Sequence, residues 1–238
     1  MAGAHSLLGT FRSGVDLFVT PSEFARGKFV EAGWDGGRIV VKPNSVHPDP
    51  GPGGERDGYA LFVGRLERIK GIEPLLAAWT ESSADLRLKI VGDGPLLPMV
   101  VEAAAADERI EVLGMLEVTE IHRLLRAARF VVVPSLWYET FGRVVAEAFA
   151  AGTPVIVSDL GALSELVADG VDGVIVEPGN VTDLRKAIEH LTERDDMDSM
   201  HLAARATFEA TLEGQANVRR LLEIYSLAVE RSAGRHTT

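Results

Sequence analysis

The chain has 238 residues, 46% hydrophobic and 25% charged, a composition that excludes disorder and fits a folded globular protein of one large or two small domains. Thirty-five acidic against 24 basic residues give a net charge of −11, the wrong sign for a general nucleic-acid or anionic-membrane surface, so any phosphate site is local. The absence of cysteine excludes a disulfide framework, a thiolate nucleophile and a Cys-ligated zinc. No apolar stretch approaches the ~20 residues of a membrane-spanning helix, and Arg12 and Asp16 interrupt the start, so no leader is read there. The expectation is a soluble cytoplasmic protein with no integral membrane segment.

Short β-branched runs alternate with helical patterns along the chain. Residues 17–19 read as a first strand. Thr20-Pro21-Ser22-Glu23 follows as a capping box with proline at the first helical position, opening a helix within 20–33 that Gly33 ends. Residues 39–41 form a second strand. Segment 43–58 then carries four prolines and four glycines in sixteen residues and reads as a surface loop at a domain entrance. It divides residues 1–42, read as the remnant of or link to a preceding domain, from a domain spanning 43–238. Strands are expected at 60–63, 86–91, 110–113, 130–133, 155–157 and 174–176, several apolar on both faces as in a parallel sheet covered on both sides. Helices are expected at 72–81, at 120–128 behind a Thr119 cap, from near Gly142, and from Thr182-Asp183 to about 191. Residues 197–210 and 215–231 complete a helical segment over 181–233, and 234–238 reads as frayed. The series predicts an α/β fold, a doubly wound, Rossmann-like parallel sheet with helices on both faces.

In such sheets ligands sit beyond the carboxyl ends of the strands, so the strand-to-helix loops are where chemistry is sought. In the loop after Val63, Gly64 permits close backbone approach, while Arg65 and Lys70 place two cations at a strand edge, a diphosphate clamp. A solvated turn balancing Glu67 and Glu73 accounts for the same residues equally well. Gly92-Asp93-Gly94-Pro95 frees backbone N–H groups ahead of a helix N-terminus, although tight-turn chemistry alone asks for the same residues. It lacks the lysine and hydroxyl of a P-loop.

The third loop, 134–147, is the most informative. Glu147 falls among Val144, Val145, Ala148 and Phe149, where an unpaired carboxylate is costly and one bonded to sugar hydroxyls is not. Glu139 and Glu147 are eight residues apart, about 12 Å along a helix. Glycosidase pairs stand roughly 5–9.5 Å apart, so these two fit separate parts of one elongated ligand. The plainer reading makes Glu139 a solvated loop residue and Glu147 a helix-surface charge. The histidines His5, His47, His122, His190, His201 and His236 are read as loop, helix-surface or tail residues, and no His/Asp/Glu spacing suits a metal.

Glu139 and Glu147 also form an E-x7-E motif inside Tyr138-Glu139-Thr140-Phe141-Gly142, followed by Glu147-Ala148-Phe149-Ala150-Ala151-Gly152-Thr153-Pro154. With Val63-Gly64-Arg65, Lys70-Gly71, Val91-Gly92-Asp93-Gly94-Pro95, Leu113-Gly114 and Glu165-Leu166-Val167-Ala168-Asp169-Gly170 in order, the chain closely resembles retaining nucleotide-sugar glycosyltransferases of family 4, which have the two-domain GT-B fold. Only their C-terminal, donor-binding half is matched, over nearly the whole chain. The resemblance implies catalytic roles for Arg65 and Lys70, binding the donor diphosphate and stabilising charge as it leaves, and for Glu139, bonding the donor sugar. It implies donor-binding roles for Gly64, for Gly94 near the donor, and for Leu116 at the base pocket. The N–H groups of Phe141 and Gly142 would face sugar and phosphate, with Val144 packed nearby and Glu147 holding the ribose.

No cofactor or metal is implied beyond a nucleoside-diphosphate sugar, with uridine, guanosine or adenosine as base. The implied function is retaining transfer of that sugar to an acceptor held by an N-terminal domain or split partner, the isolated chain being inactive. A GT-B phosphorylase or epimerase is the less favoured enzyme, for want of a lysine placed for a pyridoxal Schiff base. A non-catalytic nucleotide- or nucleotide-sugar-binding interaction module is the alternative; the joint presence of Arg65, Lys70, Glu139 and Glu147 argues against it. Trp34 and the 215–231 helix, with Val218, Leu221, Leu222, Tyr225 and Val229 on one face, are expected as exposed apolar surface for self-association.

Overall fold

The computed structural model describes residues 14–54 and 58–235. The expectations placed on His5, His236, residues 1–13 and 236–238 lie outside the described residues. β1 (Phe18–Thr20), α1 (Glu23–Glu31) and β2 (Ile39–Val41) form a small unit whose two strands pair in parallel, Val19 beside Val40, in a sheet of their own. The main sheet follows, with β3 (Tyr59–Val63), α2 (Ile72–Glu81), β4 (Arg87–Val91), α3 (Leu97–Ala106), β5 (Ile110–Gly114), α4 (Val118–Ala127), β6 (Phe130–Val133), α5 (Arg143–Ala150), β7 (Val155–Ser158), α6 (Leu163–Leu166) and β8 (Gly173–Val176). Helices α7 (Val181–Glu193), α8 (Met197–Thr211) and α9 (Gly214–Arg235) complete the chain.

The six main strands are all parallel and lie in the order β5-β4-β3-β6-β7-β8. The chain winds outward from β3 to β5, then crosses to β6 and winds the other way to β8. The order reverses between β3 and β6, which opens a crevice at their carboxyl ends.

The period-two alternation of the strands feeds two separate cores. Ala60, Phe62, Phe130, Val132 and Ile156 face α2, α3 and α7, packing with Leu75, Trp79, Val100, Leu184 and Ile188. Leu61, Val131, Val155 and Val157 face α4, α5 and α8, packing with Leu124, Leu125, Val145, Phe149 and Phe208. Each Val, Leu, Ile or Phe among these, buried fully, contributes about 1.5–3 kcal/mol. That is why the strands read as unbroken apolar runs.

Several local expectations are corrected. Ser22, not Thr20, is the N-cap of α1: its hydroxyl accepts from Ala25 N–H at 3.1 Å, Pro21 precedes it, and Glu23 is the first helical residue. Thr119 lies inside α4, whose N-cap position is Glu117. Helix α7 starts one residue early because Asn180 caps it, accepting from Asp183 N–H at 3.0 Å. Trp34 is half-buried, edge-on to Phe18 at 4.8 Å and Phe29 at 5.5 Å, so it is spent within the N-terminal unit. His201 is buried in α8, its Nδ1 2.7 Å from the Met197 carbonyl oxygen, and is not a surface residue. On α9, Val218, Leu222, Tyr225 and Val229 are exposed and Ile224 is buried.

Segment 43–54 is pinned along its course, more strap than free loop. Val46 is buried and bridges to Glu213, Gly53 N–H donates to the Ala151 carbonyl at 2.9 Å, and Asp49 accepts from Arg205 Nη1 and Nη2 at 2.8 and 2.7 Å. The Arg205 guanidinium holds the Asp49 carboxyl below its ordinary value. A depressed carboxyl pKa adds stability above the unfolded value, near 4, and that stability is lost as pH falls through the folded one. Solvent reaches this pair, so its worth is about 1 kcal/mol or less, roughly 2–4 °C in a domain of this size. Asp49→Asn is therefore expected to melt a few degrees below wild type at pH 7, with the gap closing as pH falls through and below the ordinary carboxylate range, as read from thermal unfolding across pH.

Candidate functional site

The carboxyl ends of β3 and β6, adjacent in the sheet, lead into loops 64–71 and 134–142. A short 3-10 turn at Arg68–Lys70 and a left-handed Gly71 lead the first loop into α2, and Leu136 N–H donates to the Ile69 carbonyl at 2.9 Å, tying the loops together. Across this seam the Lys70 ammonium is paired with the Glu139 carboxylate, and Ser135 Oγ donates to the same carboxylate oxygen at 3.1 Å. Both side chains are half-buried, 31% and 25% exposed. They form the floor of a pocket of about 120 Å³ walled by Phe62, Gly64, Val133, Gly142, Arg143 and Val144.

The N-terminus of α5 opens onto this pocket. Gly142 occupies its N-cap position at φ 88°, and a Cβ there would stand 2.8 Å from Leu163 Cδ2, so both conformation and packing ask for glycine. No side chain caps the helix, and among the described residues the N–H groups of Phe141, Gly142 and Arg143 donate no hydrogen bond to the protein. Unsatisfied donors at the positive end of a helix, beside a cation, are a site for an anion.

Gly64 also lines a second pocket of about 190 Å³, with Arg65, Gly92, Asp93, Met115, Leu116 and Ile121. Arg65 reaches outward, 74% exposed and paired with Glu67. Gly94 sits where two loops cross, against the backbone of Leu66. Glu147, with its side chain 12% exposed, accepts from Arg143 Nε at 2.8 Å. It faces a third pocket, of about 410 Å³, with Phe141, Lys42, His47, His122 and Asn217.

The structure thus gathers Gly64, Lys70, Glu139, Gly142 and Val144 around one pocket, sets Arg65 and Leu116 around its neighbour, and turns Glu147 and Phe141 toward a third. Arg143 lines both the first and the third. Sequence reasoning missed Ser135 and Arg143. Spacing offers a signal for Arg143, since Arg143 and Glu147 stand at i and i+4 on one helix; nothing local marks Ser135.

The glycines separate by purpose. A Cβ on Gly94 would lie 2.6 Å from the Leu66 carbonyl oxygen, whereas one on Gly64 would meet only the Phe62 ring at 3.5 Å, an ordinary contact. Gly94→Ala is expected to lower the melting temperature by several degrees and Gly64→Ala by no more than about 2 °C. Scanning calorimetry of the two variants checks this.

A family model described as Glycosyl transferases group 1 matches residues 57–194, more than half of the chain. A glycosyltransferase of Methanocaldococcus jannaschii is 33% identical over 141 residues, 58% of this chain and 39% of the relative. The phosphatidyl-myo-inositol mannosyltransferase of Mycobacterium leprae is 31% identical over 218 residues, 87% of this chain and 58% of the relative. The chain therefore spans well under two thirds of the length of these relatives. Among solved structures, Anabaena Alr3699/HepE in complex with UDP superposes with a TM-score of 0.81 at 20% identity, over 89% of this chain and 64% of that one. The fold is that of a C-terminal GT-B domain, and the chain belongs to the group 1 glycosyl transferases.

Proposed function

We propose that the crevice between β3 and β6 holds the diphosphate and sugar of a nucleoside-diphosphate sugar, and that the chain is the donor-binding part of a retaining glycosyltransferase. The observation that carries this reading is the uncapped N-terminus of α5, with Lys70 and Glu139 beside it. The UDP held by the Anabaena neighbour supports the same ligand class.

Binding exchanges partners. The diphosphate takes Lys70 from Glu139 and Arg65 from Glu67, and the freed Glu139 accepts hydrogen bonds from sugar hydroxyls. As the bond between the anomeric carbon and the diphosphate breaks, the new bond to the acceptor oxygen forms on the same face, and the acceptor hydroxyl's proton passes to the departing diphosphate oxygen. Charge gathering on the diphosphate is met by Arg65, Lys70 and the N–H groups of Phe141 and Gly142. Leu116 borders the base, and Glu147 reaches the ribose once Arg143 turns away. The chemistry asks for no cofactor or metal, and a chain without cysteine suits a reducing, cytoplasmic setting.

The acceptor site belongs, in this reading, to an N-terminal domain of which residues 1–42 are the end. The exposed Val218, Leu222, Tyr225 and Val229 of α9 give such a domain, or a second copy, an apolar surface.

Calorimetry tests the proposal. UDP, GDP or ADP is expected to bind with Kd below millimolar, and Arg65→Ala to weaken the diphosphate about tenfold, or 1.4 kcal/mol, while the matching nucleoside stays within about twofold. No binding heat at millimolar ligand sinks the assignment. The 238-residue chain alone is expected to transfer no sugar to any acceptor; turnover by it would overturn the division of labour.

A further inference from the structure

Helix α1 has no capping carboxylate of its own, because Glu23 sits at its first position and Ala25 at its third. The cap comes from far away in sequence. Glu23 N–H donates to Glu165 Oε2 at 2.9 Å and Phe24 N–H donates to Glu165 Oε1, while Ala25 N–H is taken by Ser22 Oγ at 3.1 Å. The first three donors of α1 are thereby all satisfied, two of them by one side chain of α6, with its negative charge at the positive end of the helix.

The same neighbourhood grips the loop that carries Glu139. Ser22 Oγ donates to the Thr140 carbonyl at 2.8 Å, and the Phe24 ring stands 5.0 Å from that of Tyr138. From the other side, Ala162 N–H donates to the Glu139 carbonyl at 3.0 Å, and a Cβ on Gly161 would lie 2.8 Å from that oxygen. Residues 138 and 140 are held by α1, residue 139 by the start of α6, and Glu165 joins α6 back to α1. The three pieces form a closed ring, and Glu165 is exposed, so no core packing calls for a carboxylate there.

We infer that Glu165 is a positioning residue: it fixes α1 against the 138–140 loop and so sets where the Glu139 carboxylate meets the donor sugar. This rests on the donor reading of the crevice. Released from Glu165, α1 no longer backs the loop, and the sugar contact suffers while the diphosphate contacts of Lys70 and the α5 N-terminus remain.

The test measures, by calorimetry on the full chain, the Kd of a nucleoside diphosphate and of its sugar conjugate, taking from UDP/UDP-glucose, GDP/GDP-mannose and ADP/ADP-glucose the pair that wild type binds best. Glu165→Ala is expected to weaken the sugar conjugate about tenfold and the plain diphosphate less than about twofold. Glu165→Gln, which keeps one accepting oxygen, is expected to restore part of the loss, and it keeps the test alive should the alanine variant fold poorly. In a Glu139→Gln background, Glu165→Ala is expected to change sugar affinity no further, because the two act through one contact. Equal losses for both ligands, or losses that add in the double variant, make Glu165 merely structural and overturn the inference. Wild type binding neither ligand overturns the donor reading itself, and this inference with it.

Discussion

The rest of the site depends on one open helix end. Strand order reverses between β3 and β6, and the chain leaving β6 takes eight residues of loop, Pro134 to Phe141, before a left-handed Gly142 starts α5. That turn brings the helix N-terminus back over the sheet edge with no side chain across it. Capping it from within would contribute about 0.5–2 kcal/mol to stability; leaving it open keeps donors aimed at the crevice. The flanking features follow from this choice. Gly64 and Lys70 line the pocket from the facing loop, and the Leu136 N–H bond to the Ile69 carbonyl ties the two loops together.

Charge in the crevice is balanced locally, within a chain that is acidic overall. Lys70 pairs with Glu139, Arg65 with Glu67 and Arg143 with Glu147. Each of these three cations has a carboxylate of its own. Exposed or half-exposed pairs of this kind are worth about 0–1 kcal/mol, whereas hydrogen bonds from charged groups contribute roughly 1.5–3 kcal/mol. In the donor complex proposed above, a diphosphate takes over these cations at the small cost of the pairs it displaces, and the carboxylates are freed for hydroxyl groups.

The strands, helix α2 and the three closing helices are legible in the sequence because periodicity and burial agree there. Val131 and Phe130 point to different cores, and both cores are deep enough to demand apolar residues. The site is legible as a set of loops, and less so as a set of partners. Spacing along one chain marks Glu139 and Glu147 but not their partners: the turn at Gly142 sets Glu139 beside Lys70 and Glu147 beside Arg143, in pockets that share Arg143. The cap of α1 escaped for the same reason. A Thr-x-x-Glu pattern looks local and complete, while the carboxylate that serves the helix lies about 140 residues away and is brought in by the fold. Trp34 and His201 show the converse. Their chemistry resembles that of surface candidates, but ring packing against Phe18 and a carbonyl within α8 settle them inside.

The β1–α1–β2 unit shows how its seam with the main domain is built. A two-stranded sheet is marginal by itself, so this unit depends on what it rests against. Much of that support is polar: Ser22 on Thr140, Glu165 on α1, Arg231 on the Gly37 carbonyl at 3.1 Å, and Lys42 with Asn217 at 2.6 Å. Burial at this last contact lowers the Lys42 pKa, and Asn217 in turn donates to the Pro43 carbonyl at 2.5 Å. Seams within a chain that are polar resemble the interfaces of transient complexes, for which relative motion is the default expectation. The two apolar cores lie wholly on the other side, between the main sheet and its helices. The molecule therefore divides its stability unequally, with a rigid sheet that fixes the helix end at Gly142 and a lightly held unit whose grip on the neighbouring loop comes down to a few named hydrogen bonds.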